Sequence, residues 1–205
     1  MKVLIVGKTR MQNSACIGGL LLKDNKSVRL LQQNESNYPK DTDFVIGQVW
    51  EIEFTPRSNV VRPHVEDILV NSRTFVKNIP MLRNFLPGRI RPWTGSPDNL
   101  FDRRIMATSN EGGYISESTG IPVCSTGFWI PDQTLVKIYS GNKVRYRYLG
   151  VSSVREMTYV GFADPIESIS SGTLVRVSLA HWWRPPDADE TFEFRCYLQL
   201  SGWFR

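Results

Sequence analysis

The sequence predicts a mainly β fold of two small barrels packed together, with a short helical segment in the middle. Three observations carry this expectation. Apolar and polar residues alternate with a period of two near both ends, turn-forming residues separate short apolar runs, and a central stretch changes to helical spacing. At 205 residues the chain suits one large domain or two of about 100 residues. The division expected is 1–108, a first unit with a helical extension, and 109–205, a second unit.

Val3 to Val6 is a short β-branched run and reads as a buried strand. Ile17–Leu22 and Ser27–Leu31, joined by Lys23-Asp24-Asn25-Lys26, read as a hairpin, and the polar Gln32–Asp43 as a surface loop. From Val49 to Phe54, Trp50, Ile52 and Phe54 point one way while Val49, Glu51 and Glu53 point the other. Thr74 to Phe85 places Phe75, Ile79, Leu82 and Phe85 at helical spacing, with Pro80 as an interruption. Ser96-Pro97-Asp98 reads as a helix start with Ser96 as its cap, and Glu111–Gly127 as loop or irregular edge. Strands resume at Leu135. Lys143–Tyr148 alternates cations with apolar residues, and the stretch Gly172–Leu179 echoes Gly47–Phe54. In Thr191–Ser201, Phe192, Phe194, Cys196, Leu198 and Leu200 share the buried face.

Composition narrows the function classes. Hydrophobic residues at 41% and charged residues at 22% allow an ordinary core, and the net charge of +5 suits a polyanionic partner. Cys16, Cys124 and Cys196 are odd in number and far apart, which argues against a disulfide framework and for a reducing, cytoplasmic compartment. The apolar run behind Met1 is too short for a signal peptide, and no run reaches membrane length, so no membrane partner is expected.

Three apparent motifs fail on spacing. Gly7-Lys8-Thr9 follows a strand, but a phosphate-wrapping loop needs a glycine at position 2, where Lys2 stands. His64-Val65-Glu66 and Pro122-Val123-Cys124 match pieces of a zinc-deaminase signature, yet the closing cysteine is missing. Glu51 and Glu53 share a strand face that reads as the solvated side. No catalytic constellation and no cofactor or metal site is expected; the chain is read as a non-enzyme.

What remains is basic and aromatic. Lys143, Arg145 and Arg147 form a ladder of like charges, answered either by a polyanion or by solvent along a protected edge strand. Arg89, Arg91 and Trp93 form a second group; arginine beside tryptophan suits single strands, and also plain packing. His181-Trp182-Trp183-Arg184-Pro185-Pro186 is the most unusual run, because adjacent tryptophans on a strand face opposite ways. By parity Trp203 falls away from the apolar stripe, as a seal between the units or a stacking platform.

The same chain resembles a bacterial family, the dual OB-containing domain. The likeness runs through LIVGKTRMQNSACIGG, SVRLL, GQVWEIEF, PHVEDILV and SRTFV, and is most specific in SLAHWWRPP with RCYLQLSGWF. It implies two OB-type barrels, a nucleic-acid-binding role, and a setting in defence or mobile-element systems beside a helicase or nuclease. OB barrels bind across one sheet face and its flanking loops. On that basis Lys8, Arg10 and Arg29 serve the first unit, Lys143, Arg145, Arg147, Trp183 and Arg184 the second, and Arg62 and His64 the seam; Arg89, Arg91 and Trp93 complete the candidate surface. Two other functions stay open: an adaptor docking a protein partner, and a sensor of a nucleotide-like molecule in a pocket near Trp93 and Trp183.

Overall fold

The computed structural model describes residues 1–151 and 153–204. The chain begins with six strands: β1 (Lys2–Met11), β2 (Ser14–Leu21), β3 (Ser27–Leu31), β4 (Tyr38–Pro39), β5 (Gln48–Pro56) and β6 (Asp67–Asn78). Five of them close into a barrel in the order β1-β5-β6-β3-β2-β1, with the short β4 laid against β2. All pairs are antiparallel except β3 with β6. This is the five-stranded Greek-key closure of an OB barrel, which leaves no edge to be protected. Its core holds Val3, Ile5, Ile17, Leu30, Trp50 and Ile52, the apolar sides of the predicted alternations.

Two expectations for this half change. The alternation at Val49–Ile52 holds, but the side of Val49 is not solvated there: Trp50 and Ile52 enter the barrel core, while Val49 points outward beside Leu4 and Val6 and is buried under the second barrel. The helical reading of 74–85 fails over its first half. Residues 67–78 are strand β6, paired along β5, and Phe75 is exposed. Only α1 (Leu82–Phe85) is helical. The β-formers Thr74, Phe75 and Val76 find a long partner strand, and Pro80 keeps any helix from reaching back.

The middle segment then runs over the second sheet. β7 (Trp93–Gly95) pairs parallel with β10 (Thr126–Pro131), and β8 (Met106–Ala107) pairs with β9 (Gly113–Ser116), which in turn pairs with β16 (Arg195–Phe204). Ser96 caps a short turn of helix as expected, its hydroxyl accepting from the Asp98 amide at 3.2 Å, although the helix is a three-residue 3-10 turn.

The remaining strands are β11 (Leu135–Ser140), β12 (Lys143–Leu149), β13 (Val154–Tyr159), β14 (Ser168–Ile169) and β15 (Leu174–Leu179). The sheet order β11-β12-β13-β16-β15-β10 repeats the first barrel, including one parallel pair, here β13 with β16. Its first strand is split: β10 pairs with β15 and β11 with β12, on either side of residues 132–134. The core centres on Trp129, Tyr146, Met157, Val175 and Leu198.

The echo between Gly47–Phe54 and Gly172–Leu179 has a structural reason. Strands β5 and β15 occupy the same place in their barrels, and each follows a glycine at positive φ, 96° at Gly47 and 80° at Gly172.

A third apolar cluster joins the barrels. Leu4, Val6, Leu20 and Val49 of the first meet Phe128, Leu174 and Phe204 of the second, with Leu82 and Leu86 from the connecting segment. The sealing residue of the last strand is therefore Phe204. A bulge leaves Ser201 without a partner on β15 and reverses the parity beyond it, so Trp203 packs inward against Tyr146 and Tyr159. Phe192 and Phe194 also depart from expectation, since they precede β16 and lie outside its apolar stripe. Each stacks under a guanidinium instead, Phe192 under Arg195 at 4.1 Å and Phe194 under Arg184 at 5.0 Å.

Candidate nucleic-acid interface

In each barrel the loop between the fourth and fifth strands is long: residues 57–66 in the first, and 180–194 in the second. The two loops meet. The Trp182 indole donates to the Arg62 carbonyl at 2.7 Å, and the His64 and His181 rings stack with centroids 4.4 Å apart. His64 Nε2 donates to the Leu179 carbonyl at 3.2 Å, since a carbonyl only accepts. By the same logic His181 Nε2 accepts, because its partner at 2.7 Å is the Arg29 guanidinium.

Beside this contact lies a cleft of about 600 Å³. The first barrel contributes Met11 and Gln12 from its β1–β2 turn, Cys16 and Arg29 from β2 and β3, and His64. The second contributes Lys143, Arg176 and Gln199 from its outer sheet face, and Trp182 and Trp183 from its long loop. OB barrels take oligomeric ligands across strands two and three and the loops at this end. The cleft thus lies on the face of the first barrel that corresponds to this general ligand position, roofed by the second.

Its charges are held in place. Asp67, whose side chain is 3% exposed, accepts from Arg29 Nε and Nη2 at 2.5 and 2.6 Å and from Arg57 at 3.0 Å. Glu66 accepts from the Ser125 amide at 2.6 Å and its hydroxyl at 2.8 Å, tying the first barrel to the start of β10. Arg176 of β15 is 5% exposed and stacks over Phe128 at 5.6 Å. Its guanidinium has no ion pair, and Nη1 has no hydrogen-bond partner, among the described residues.

The histidines make this contact sensitive to acid. Desolvation pushes His64 below its usual value, and His181 down to about 4 by desolvation first, then by His64 and Arg29. Both are neutral when folded, while the unfolded chain takes up protons below about 6.5. Their contribution to stability is therefore complete above about pH 6.5 and lost as the pH falls toward 4. Denaturant titrations at pH 7, 6, 5 and 4 should show this decline, and His181→Asn should flatten it. Equal steepness in the variant would mean other groups govern the acid limb.

The sequence-predicted residues divide by place. Arg29, His64, Lys143 and Trp183 line the cleft, and Arg62 borders it through its carbonyl. Lys8 and Arg10 sit over Phe162 at 5.2 and 5.4 Å, and Arg10 also donates to the Gly161 carbonyl, at the joint of β1 with the second barrel. Arg184 covers Phe194. Arg89, Arg91 and Trp93 line a separate cavity of about 460 Å³, where Arg89 donates to Leu22 and Asn25 and Trp93 packs on Phe101. Trp93 and Trp183 therefore line different cavities and do not share one pocket.

The basic ladder is also different from expectation. Strand β12 lies inside the sheet between β11 and β13, not at an edge. Glu156 on β13 answers both arginines, Arg145 at 3.2 Å and Arg147 at 2.5 Å, with Glu111 at 3.8 Å from Arg147. Only Lys143, at the strand's start, reaches the cleft.

Arg176, Glu66 and His181 are cleft residues that the sequence reading left off the candidate surface, as is Asp67, which lies behind Arg29. Arg176 alternates with Val175 and Val177, so period-two logic places it in solvent; packing of the second barrel on the first buries it. No group of three or more His, Cys, Asp or Glu side chains is placed to hold a metal among the described residues, and no described helix is long and apolar enough to cross a membrane.

The model of the dual OB-containing domain matches residues 1–203. The chain belongs to that family. The family's two OB units are the two barrels, and the cleft lies between them. No curated protein matches the sequence. Among solved structures, a crystal structure of a HINb domain is similar over 98% of this chain and 95% of that one, at 10% identity and a TM-score of 0.36. A murine DNA-binding protein bound with double-stranded DNA is similar over 100% and 95%, at 10% identity and a TM-score of 0.33.

Proposed function

We propose that this dual OB protein is a non-catalytic nucleic-acid-binding module that takes single strands into the cleft between its barrels. One observation carries the reading: the face of the first OB barrel that such folds use for ligands is joined there by a lysine, an arginine and an exposed tryptophan from the second. A cleft of about 600 Å³ accepts a nucleotide-sized ligand and is far too small for a duplex. Trp183, 49% exposed, offers a face on which a base stacks, while Lys143 and the unpaired Arg176 supply positive charge. The proposed setting is the cytoplasm, supported by the three sparse cysteines, beside a helicase or nuclease of a bacterial defence or mobile-element system, supported by the family resemblance.

Fluorescence anisotropy with single- and double-stranded DNA and RNA, across a salt series, tests the reading. Single strands should bind more tightly than duplexes, with log affinity falling against log salt by about 0.7 for each phosphate contacted. Trp183→Ala should weaken binding by about 5- to 100-fold, the worth of one stacked base. Lys143→Glu should lower affinity and reduce the salt slope by about one. Arg91→Glu, exposed and outside the cleft, is the control and should leave affinity level. A larger loss in the control than in the cleft variants would move the site elsewhere.

A further inference from the structure

The strongest unexplained feature of the molecule is Arg176. A guanidinium carries five donors and stays charged, and burying one without an acceptor is costly, so native proteins answer such groups. Here no ion pair, and for Nη1 no hydrogen bond, is made among the described residues. Glu66 lines the same cleft, but both of its oxygens are already engaged by Ser125. Asp67 is taken by Arg29 and Arg57. Among the described residues Nη1 is enclosed with no hydrogen-bond partner; the guanidinium lies over the Phe128 ring, and the Glu66 carboxylate acts on its charge without a hydrogen bond or ion pair to it.

The surrounding backbone is shaped to admit this side chain. Gly7 and Gly18 are opposite each other on β1 and β2. A Cβ at Gly7 would stand 2.8 Å from Arg176 Nε, and one at Gly18 would stand 2.5 Å from Nη2. Two glycines in register thus make a flat floor on which the guanidinium lies. Hydroxyls are at hand as well: Ser178 and Ser201, bonded to each other at 2.9 Å, line the same cleft. A buried, unpaired arginine facing a cavity with hydroxyls and bare backbone is the composition of an oxyanion site.

We infer that the Arg176 end of the cleft binds a phosphate monoester, carried by the terminus of a nucleic-acid strand or by a free mononucleotide. The inference rests on the reading of the cleft as a nucleic-acid site and names the group that is held deepest. Depth favours a terminal phosphate. With its arginine 95% covered by the two barrels, the site is reached by the end of a strand, whereas an internal phosphodiester must bring chain in and out again.

Titration calorimetry on the full chain distinguishes the outcomes. Oligonucleotides with a 5′-phosphate, a 3′-phosphate or hydroxyls at both ends are compared, alongside a nucleoside and its monophosphate. The expected result is at least about ten-fold tighter binding for one phosphorylated end over the hydroxyl ends, lost in Arg176→Met and partly kept in Arg176→Lys. Should Arg176→Met not fold, the comparison on the unaltered protein decides by itself. Preference for the free monophosphate alone identifies a nucleotide rather than a strand end as the ligand. Equal affinity for all ends, with no binding of the monophosphate, overturns the phosphate site while leaving the nucleic-acid reading intact. Arg176-dependent binding of the monophosphate without binding of any oligonucleotide does the reverse.

Discussion

Trp129→Ala should destabilise the protein by about 3–5 kcal/mol, the largest loss expected from any single truncation in the second barrel. Trp129 is fully buried at the centre of that core, against Tyr148. Its indole donates to the Gly95 carbonyl at 2.8 Å, which fastens β7 to β10. Truncation therefore opens a cavity the size of the ring and leaves a carbonyl without its donor. In a chain of this size the fall in Tm should be about 10 °C. Trp129→Phe, which keeps most of the volume and loses the hydrogen bond, should cost markedly less. Urea unfolding of both variants checks the pair; a Trp129→Ala loss under about 1 kcal/mol would contradict the packing described.

Asp67→Ala should lower stability by about 3 kcal/mol and should not weaken nucleic-acid binding by the folded protein. The carboxylate is buried and shared between Arg29 and Arg57, so its removal strands positive charge that was neutralised. Breaking a buried pair from one side costs about 3–5 kcal/mol, and the partial exposure of both arginines favours the lower figure. Binding should move the other way, or stay level, because a negative charge is taken from beside the cleft. Chemical denaturation measures the first effect and anisotropy at a concentration where the variant is folded measures the second. Loss of affinity without loss of stability would show that Asp67 positions the ligand rather than the fold.

Much of the fold was readable because strand pattern is local. The hairpin at Lys23–Lys26, the alternation at Trp50-Ile52 and the ladder of strand β12 depend on neighbours one or two residues away. Errors arose where one residue shifts the register. The bulge at Ser201 turned Trp203 inward and handed its expected role to Phe204. The helical reading at Thr74–Phe85 failed for a related reason, since a long partner strand outweighed an apolar spacing that suits a helix equally well.

The candidate cleft was half legible. Arg29, His64, Lys143 and Trp183 carry chemistry suited to nucleic acid and did converge on one cleft. Arg145 and Arg147 carry the same chemistry, and a single glutamate on the neighbouring strand claims both. Composition does not tell a free cation from an answered one.

By itself, then, the sequence determined the strands, their turns and the two-part plan, because hydrophobic alternation and turn chemistry act over a few residues. Only the tertiary structure decided which charges are spent inside the molecule and which face a ligand. Those decisions are made by partners distant in the chain: Asp67 for Arg29, Ser125 for Glu66, His181 for His64, and two glycines of the first barrel beneath Arg176 of the second.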